Sequence, residues 1–123
     1  MTRTRAGITA EVCARIVAFG REPLEARLAA AARQLFMDGV GVAVAGAQLE
    51  EAPRLLAEHF ADPAFGAGGG GASLLGLNAK LGTVQAALVN GASMHVLDFE
   101  PMWLPATHAL SPSLATVLAL GET

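Results

Sequence analysis

Residues 24–46 read LEARLAAAARQLFMDGVGVAVAG, and this stretch predicts the fold class of the chain. Leu24, Leu28 and Leu35 recur at helical spacing along one face, whereas Arg33 lies on the opposite face. The stretch ends in small apolar residues, which let another backbone approach closely and are typical of a helix that is buried nearly all round. We therefore expect one long helix that has Pro23 in its first turn and ends near residue 44 or 45.

Composition extends the helical prediction to most of the chain. Alanine and leucine dominate, tyrosine is absent and β-branched runs are short, so intrinsic propensity favours helix over strand. The only cysteine, Cys13, is expected to be a small buried apolar side chain. The prediction is an all-α fold of about five helices. Besides the long helix, the predicted segments are helices over residues 9–19, 50–60, 80–96 and 112–120, a flexible glycine-rich loop over 65–72, and a short extended piece around Leu74, Leu75 and Leu77.

Two dipeptides bear on the limits of the last two helices. Asn90-Gly91 is expected to interrupt the helix over residues 80–96, and its small residue indicates close packing against another element. Ser111 and Pro112 are the residue types of an N-cap and of a first helical position. The last helix is therefore predicted to start there.

Charge and hydropathy exclude several classes of partner. The 123 residues are 53% hydrophobic and 15% charged with a formal charge of −3, so the chain has enough apolar surface for a core and too few basic residues for a nucleic-acid partner. The longest uninterrupted apolar run, residues 39–47, is shorter than the roughly 20 residues of a membrane span. Residues 1–5 are basic, but Glu11 and Arg15 follow instead of the apolar segment of a signal peptide. We expect a cytoplasmic protein with no nucleic-acid and no membrane partner.

Chemistry-bearing side chains concentrate in residues 90–112. Two of the three histidines lie there, with two carboxylates and the only tryptophan: His95, Asp98, Glu100, Trp103 and His108. His95 and Asp98 are three apart, so we expect the aspartate to meet this imidazole on one turn and fix its tautomer. Two prolines restrain the loop that follows and are expected to fold His108 back toward Asp98, as an acid/base site requires.

Two other interpretations of this window stay open. A capped helix end with a polar loop would place the same residues together without any chemistry. Two imidazoles and a carboxylate are also the ligand set of a facial-triad metal site, although the spacing of His95, Asp98 and His108 matches no tight metal signature.

The pattern Asn90-Gly91-x-x-x-His95-x-Leu97-Asp98-Phe99-Glu100, followed by His108 and by Ser111-Pro112 before an Ala/Leu-rich helix, resembles the MmgE/PrpD family. This family includes 2-methylcitrate dehydratase and cis-aconitate decarboxylase. Asp38-Gly39 before the small-residue stretch also resembles the family's early helix. Family members are several times longer, so the resemblance implies that residues 1–123 are the amino-terminal part of a larger all-helical domain. The resemblance also implies a carboxy-terminal remainder and a smaller α/β domain outside them. The uncovered apolar helix at the end indicates only a cut inside a larger domain.

The resemblance implies a lyase that dehydrates, decarboxylates or isomerises small polycarboxylates, with no metal or organic cofactor, as a homodimer. Asp98 corresponds to the family's active-site aspartate and His108 to its loop histidine, while His95 matches the histidine before that aspartate. His95, Glu100 and Trp103 are predicted to support the pair or to bind substrate.

The chain departs from the family pattern at two places. The family often has Asp-Phe-Asp-Asp-Thr where this chain has Asp98-Phe99-Glu100-Pro101-Met102, so a thioether that cannot donate a hydrogen bond replaces a hydroxyl. The loop histidine is often followed by proline, and here by Ala109. These changes imply a substrate different from that of the named dehydratase.

A polycarboxylate substrate needs cations, and the sequence does not concentrate any near the window. Lys80 is the only lysine, and the seven arginines are scattered over separate predicted helices. We expect residues outside these 123, or a partner subunit, to supply the cations, and the chain alone to be inactive. The competing class is a non-enzymatic helical module that associates through the apolar surface of residues 117–120.

Overall fold

The fold was analysed in a computed structural model, which describes residues 7–65, 71–105 and 107–123. Within these residues there are five α-helices, which confirms the predicted all-α class: α1 (Ile8–Phe19), α2 (Ala26–Leu49), α3 (Glu51–Ala61), α4 (Thr83–His95) and α5 (Leu110–Gly121). A short 3₁₀ turn follows α3. Strands β1 (Ala72–Ser73) and β2 (Lys80–Leu81) pair antiparallel, with Ala72 opposite Leu81. Two segments from the sequence analysis lie outside the described residues: the basic stretch at residues 1–5 and residues 66–70 of the predicted glycine-rich loop.

The structure corrects the prediction for the region before α4. Lys80, predicted as the first residue of the fourth helix, lies in β2, and the helix starts at Thr83. The predicted extended piece around Leu74, Leu75 and Leu77 is also wrong, because the strand lies just before it, in β1. Leu75 lies in a turn, in which the Leu77 N–H donates to the Leu74 carbonyl at 3.2 Å. Apolar spacing did not predict this hairpin, because its two strands are only two residues long and have no alternating pattern to detect.

By contacts the chain divides into two compact units, residues 1–31 and residues 32–123. In the described part of the first unit, α1 has no buried residue, and Cys13 is exposed, so the prediction of a buried cysteine was wrong. The apolar face of α1 is also open, with Ile16 65% exposed. Helical spacing identifies an apolar face, but only a second element can bury it.

In the second unit, the prediction that α2 is buried nearly all round at residues 39–46 was wrong, because Gly41 and Val44 are exposed and only one side of the helix is covered. The helix also continues to Leu49, beyond its predicted end at residue 44 or 45. Gly39, Ala43, Gly46 and Ala47 are its buried positions. A methyl group added at Gly46 would lie 2.0 Å from the carbonyl oxygen of Ser93, so the backbones of α2 and α4 approach too closely for any larger residue. This contact fixes the helix that carries His95.

Helices α4 and α5 form the centre of this unit. Gly91 does not interrupt α4, contrary to the prediction, but it does face α5, since a methyl group there would meet Ala115 at 3.7 Å. Asn90 is buried and accepts from the Leu75 N–H at 2.8 Å while donating to the Ser73 carbonyl at 2.9 Å. One side chain thereby satisfies two backbone groups of the hairpin and ties it to α4.

One described helix, α2, is long and apolar enough to cross a membrane by length and composition. The longest uninterrupted apolar run did not reveal this, because the few polar side chains of α2 are spread along its 24 residues. The absence of a membrane partner and the cytoplasmic location stay predictions.

Candidate functional site

The carboxylate of Glu100 is the centre of the candidate site. It lies in the loop between α4 and α5 and is buried, with 4% of the residue exposed. One oxygen, Oε2, accepts from the Ser111 backbone N–H at 2.6 Å, and the other, Oε1, accepts from the Ser111 hydroxyl at 2.8 Å. Both oxygens are therefore anchored to the first turn of α5.

These contacts make Glu100 the cap of α5 and correct the predicted start of that helix. The N-cap position is Ala109, which has no capping side chain, and Ser111 lies inside the first turn. The first N–H groups of a helix have no partner within the helix and carry partial positive charge, so a carboxylate is stabilised there. Sequence spacing could not reveal a cap eleven residues upstream of the position it caps.

Both imidazoles of the window face the same oxygen of Glu100. His95, the last residue of α4, has its Nδ1 at 2.9 Å from Oε1. The Nδ1 of His108 is 3.1 Å from Oε1; it is buried and lacks a hydrogen bond of good angle. The two rings meet edge to face with centroids 4.6 Å apart. Two histidines and one carboxylate therefore form a contiguous cluster.

The structure also brings His108 and Asp98 together, as the sequence predicted. His108 Nε2 is 3.4 Å from Asp98 Oδ1, and the Asp98 side chain is 79% exposed. Asp98 has a left-handed backbone conformation with φ of 56°, which aspartate tolerates better than most residues. The two nitrogens of His108 thus face two different carboxylates, one buried and one open to solvent.

The predicted pairing of His95 with Asp98 was wrong. α4 ends at His95, and the chain then turns, with the Asp98 N–H donating to the His95 carbonyl at 2.9 Å. The helical spacing that would bring the two side chains together does not continue past the end of the helix. His95 contacts Glu100 instead.

Trp103 contributes to the loop rather than to the cluster. Its backbone N–H donates to the Thr107 carbonyl at 3.3 Å in an isolated antiparallel bridge, and the residue is 40% exposed. Among the described residues, no hydrogen bond joins the Trp103 side chain to the histidines or carboxylates of the cluster. The bridge closes the loop and returns the chain toward His108, a role that the sequence assigned to the prolines alone.

The surroundings of Glu100 favour its charged form. Burial raises the pKa of Glu100, but hydrogen bonds with His95 and Ser111, together with the electrostatic interaction with His108, outweigh burial and lower the pKa below its usual value. The cluster therefore holds a carboxylate that stays ionised at neutral pH.

His95, Glu100 and His108 also offer one ligand atom each within 4.8 Å of one another. Two imidazoles and a carboxylate are a possible set of metal ligands, with Glu100 in the place that the sequence gave to Asp98. Both oxygens of Glu100, however, already accept hydrogen bonds from Ser111. A metal ion bound to Oε1 would compete with these donors.

An open groove of about 460 Å³ lies between α4 and α5 beside the cluster. His95, a member of the cluster, and Ser111, which donates to Glu100, are part of its lining. The remaining lining is mostly small or apolar: Ala87, Leu88, Gly91, Ala92, Pro112 and Thr116. The groove thus gives a molecule of moderate size access to the imidazole of His95.

Taken together, the fold and the site define a helical domain whose last interhelical loop carries a histidine–carboxylate cluster. The sequence profile of the MmgE/PrpD N-terminal domain matches residues 10–123, and the chain therefore belongs to this family. No curated protein and no solved structure matches the chain significantly. The roles of Asp98, His108, His95, Glu100 and Trp103 stay predictions.

Proposed function

We propose that the protein is a lyase that acts on small polycarboxylates by acid/base chemistry without a cofactor. The observation that carries the proposal is the position of His108, whose Nε2 lies 3.4 Å from the exposed Asp98 and whose Nδ1 lies 3.1 Å from the buried Glu100. An imidazole held between two carboxylates can exchange a proton at the nitrogen that faces solvent. Family membership supports a dehydratase-like activity.

A dehydration needs two proton transfers, and a decarboxylation needs one. In a dehydration, a base removes the proton beside a substrate carboxylate, and an acid gives a proton to the departing hydroxyl, which leaves as water. In a decarboxylation, the bond to the carboxylate breaks, carbon dioxide leaves, and an acid protonates the resulting carbanion. Asp98 and His108 are the pair that we assign to these transfers, with either order of acid and base.

The substrate carboxylates also need cations, and the described residues supply none at the cluster. Within residues 7–65, 71–105 and 107–123, the ion pairs of lysine and arginine are Arg15 with Glu11 and Lys80 with Glu122. Neither pair includes a residue of the histidine–carboxylate cluster. We therefore propose that residues outside these 123, or the second subunit of a homodimer, hold the substrate carboxylates.

The test is an assay of dehydration and decarboxylation of methylcitrate-like and aconitate-like acids, with this chain and with any longer product of the same reading frame. In the active protein, His108→Ala should lower kcat by roughly 10²–10⁴-fold, the usual effect of a lost acid or base. His59→Ala is the matched control, since His59 stacks on Phe65 at 4.0 Å and belongs to α3. Equal rates for the wild type and His108→Ala would refute the role of His108. Full turnover by the 123-residue chain as a monomer in solution would refute the external cations.

One observation favours the alternative of a helical interaction module. Val117 and Leu120, on the surface of α5, are 63% and 61% exposed. Exposed apolar side chains of this kind are common at interfaces between proteins. If no protein that contains the chain turns over any of these acids, and its solution mass is that of an oligomer, the module is the better description.

A further inference from the structure

The burial and the hydrogen bonds of the Glu100 carboxylate distinguish it from Asp98 and His108, the pair that we assign to proton transfer. Glu100 is the only one of the cluster's three ionisable side chains that the structure buries completely, with the side chain 0% exposed against 53% for His95 and 29% for His108. Its position does not depend on the histidines, because the Ser111 N–H and hydroxyl hold it from the side of α5. Glu100 is therefore a fixed acceptor against which a more exposed imidazole can be oriented.

The buried nitrogen of His108 has one acceptor within reach. Nδ1 is buried without a hydrogen bond of good angle, and the group 3.1 Å away is Oε1 of Glu100. A carboxylate that is ionised can only accept, so a favourable contact at this distance requires the proton on Nδ1. A proton on Nδ1 leaves Nε2, which lies 3.4 Å from Asp98 Oδ1, as the unprotonated nitrogen of the neutral ring.

We infer that Glu100 is a positioning residue that fixes the tautomer and orientation of His108, so that Nε2 is the nitrogen available to Asp98 and to the substrate. The inference rests on the proposed function for its effect on turnover, whereas the tautomer itself is measurable without any turnover. Glu100 need not touch the substrate in this role. It acts through the imidazole, as the carboxylate of a hydrolase triad does.

The Glu100→Gln variant gives a directional test. The Ser111 N–H can only donate, so it retains the amide oxygen of the glutamine, and the amide NH₂ takes the place of Oε1. This NH₂ donates toward the imidazoles, which favours an unprotonated Nδ1. The proton of neutral His108 should therefore move from Nδ1 to Nε2.

The measurement is long-range ¹H–¹⁵N NMR of the histidine rings at a pH where they are neutral, with His108→Gln used to assign the signals. We expect the wild-type chain to carry the proton on Nδ1 of His108 and E100Q to carry it on Nε2. The matched control is Glu122→Gln, because Glu122 accepts from the N–H and hydroxyl of Ser73 at 3.1 and 2.6 Å but contacts no histidine among the described residues. E122Q should leave the His108 signals unchanged.

Two results would overturn the inference. One is a wild-type His108 that is protonated on Nε2 and not on Nδ1, a measurement that needs no variant to fold. The other is a folded E100Q whose His108 signals equal those of the wild type, even if those of His95 change.

Turnover supplies a separate readout. If the active protein is a lyase, E100Q should lower kcat about 100-fold with little change in KM, the scale of loss that misplaced reacting groups produce. Absence of turnover in every protein containing the chain would refute the proposed function while leaving the tautomer result intact. Turnover that E100Q does not reduce would refute the positioning role while leaving the lyase activity intact.

Discussion

Replacing Gly46 by alanine tests the close approach of α2 to α4, on which the placement of His95 depends. The added methyl group would lie 2.0 Å from the Ser93 carbonyl oxygen and 2.9 Å from Val96 Cγ1, whereas real contacts of this kind are essentially never under 3.0 Å. The Val96 methyl belongs to a side chain and can move. The Ser93 carbonyl is backbone, so α2 and α4 must separate by about 1 Å, the difference between 3.0 and 2.0 Å.

The expected magnitude follows from two opposing effects. Overpacking a well-packed core costs typically 1–3 kcal/mol, and a clash with backbone belongs at the upper end. Alanine regains about 1 kcal/mol of helix propensity over glycine. The net expectation is a free energy of unfolding lowered by about 2 kcal/mol, or roughly 8 °C in Tm for a domain of this size.

Gly41→Ala is the matched control in the same helix. Gly41 is exposed, and an added methyl group would meet nothing within 4 Å. G41A should therefore raise stability by up to about 1 kcal/mol. The assay is urea unfolding followed by circular dichroism for the wild type and both variants. If G46A unfolds at the same urea concentration as G41A, the proposed contact between α2 and α4 does not exist.

Three further predictions concern pH, a buried amide and metal ions. Folding lowers the pKa of Glu100 from 4.5, so its contribution to stability is complete above that value and is lost as pH falls through the lower folded-state pKa. The difference in free energy of unfolding between the wild type and E100Q should therefore be smaller in acid than at neutral pH, which urea unfolding at both pH values measures. Asn90→Ala leaves the Ser73 carbonyl and the Leu75 N–H without their partner, and the free energy of unfolding should fall by roughly 2–4 kcal/mol; a thermal melt that matches the wild type would contradict this role. Titration of the chain with Zn²⁺ should show no stoichiometric binding, since a metal ion on Oε1 of Glu100 would compete with the hydrogen bonds that His95 and Ser111 make to this oxygen; binding that His108→Ala abolishes would establish the metal site instead.

Part of the candidate site was predictable because its residues are close in the sequence. His95, Asp98, Glu100 and His108 lie within one short window, and two prolines restrain the loop that leads back to His108. The contact between His108 and Asp98 was expected on this ground, and the structure places the two side chains 3.4 Å apart. Which carboxylate each imidazole faces was not predictable, because His95 lies at the end of α4, where helical spacing stops applying.

The position of Glu100 shows most clearly what required tertiary structure. Its burial depends on α5, whose first turn supplies the Ser111 N–H and hydroxyl. The sequence identified Ser111 as a cap of its own helix, because the usual capping patterns are local. A cap supplied by another segment leaves no such pattern.

The sequence by itself determined the helical class, the small-residue stretch of α2 that admits a close neighbour, and the window that holds the ionisable groups. These properties follow from local propensity, from residue size and from short separations along the chain. The tertiary structure alone decided that α1 leaves Cys13 exposed, that Lys80 starts a strand, and that Glu100 holds the two imidazoles. Each of these depends on whether a distant segment covers a face, pairs with an edge or donates a hydrogen bond. The free energy of such a contact depends on both segments, so neither stretch of sequence predicts it alone.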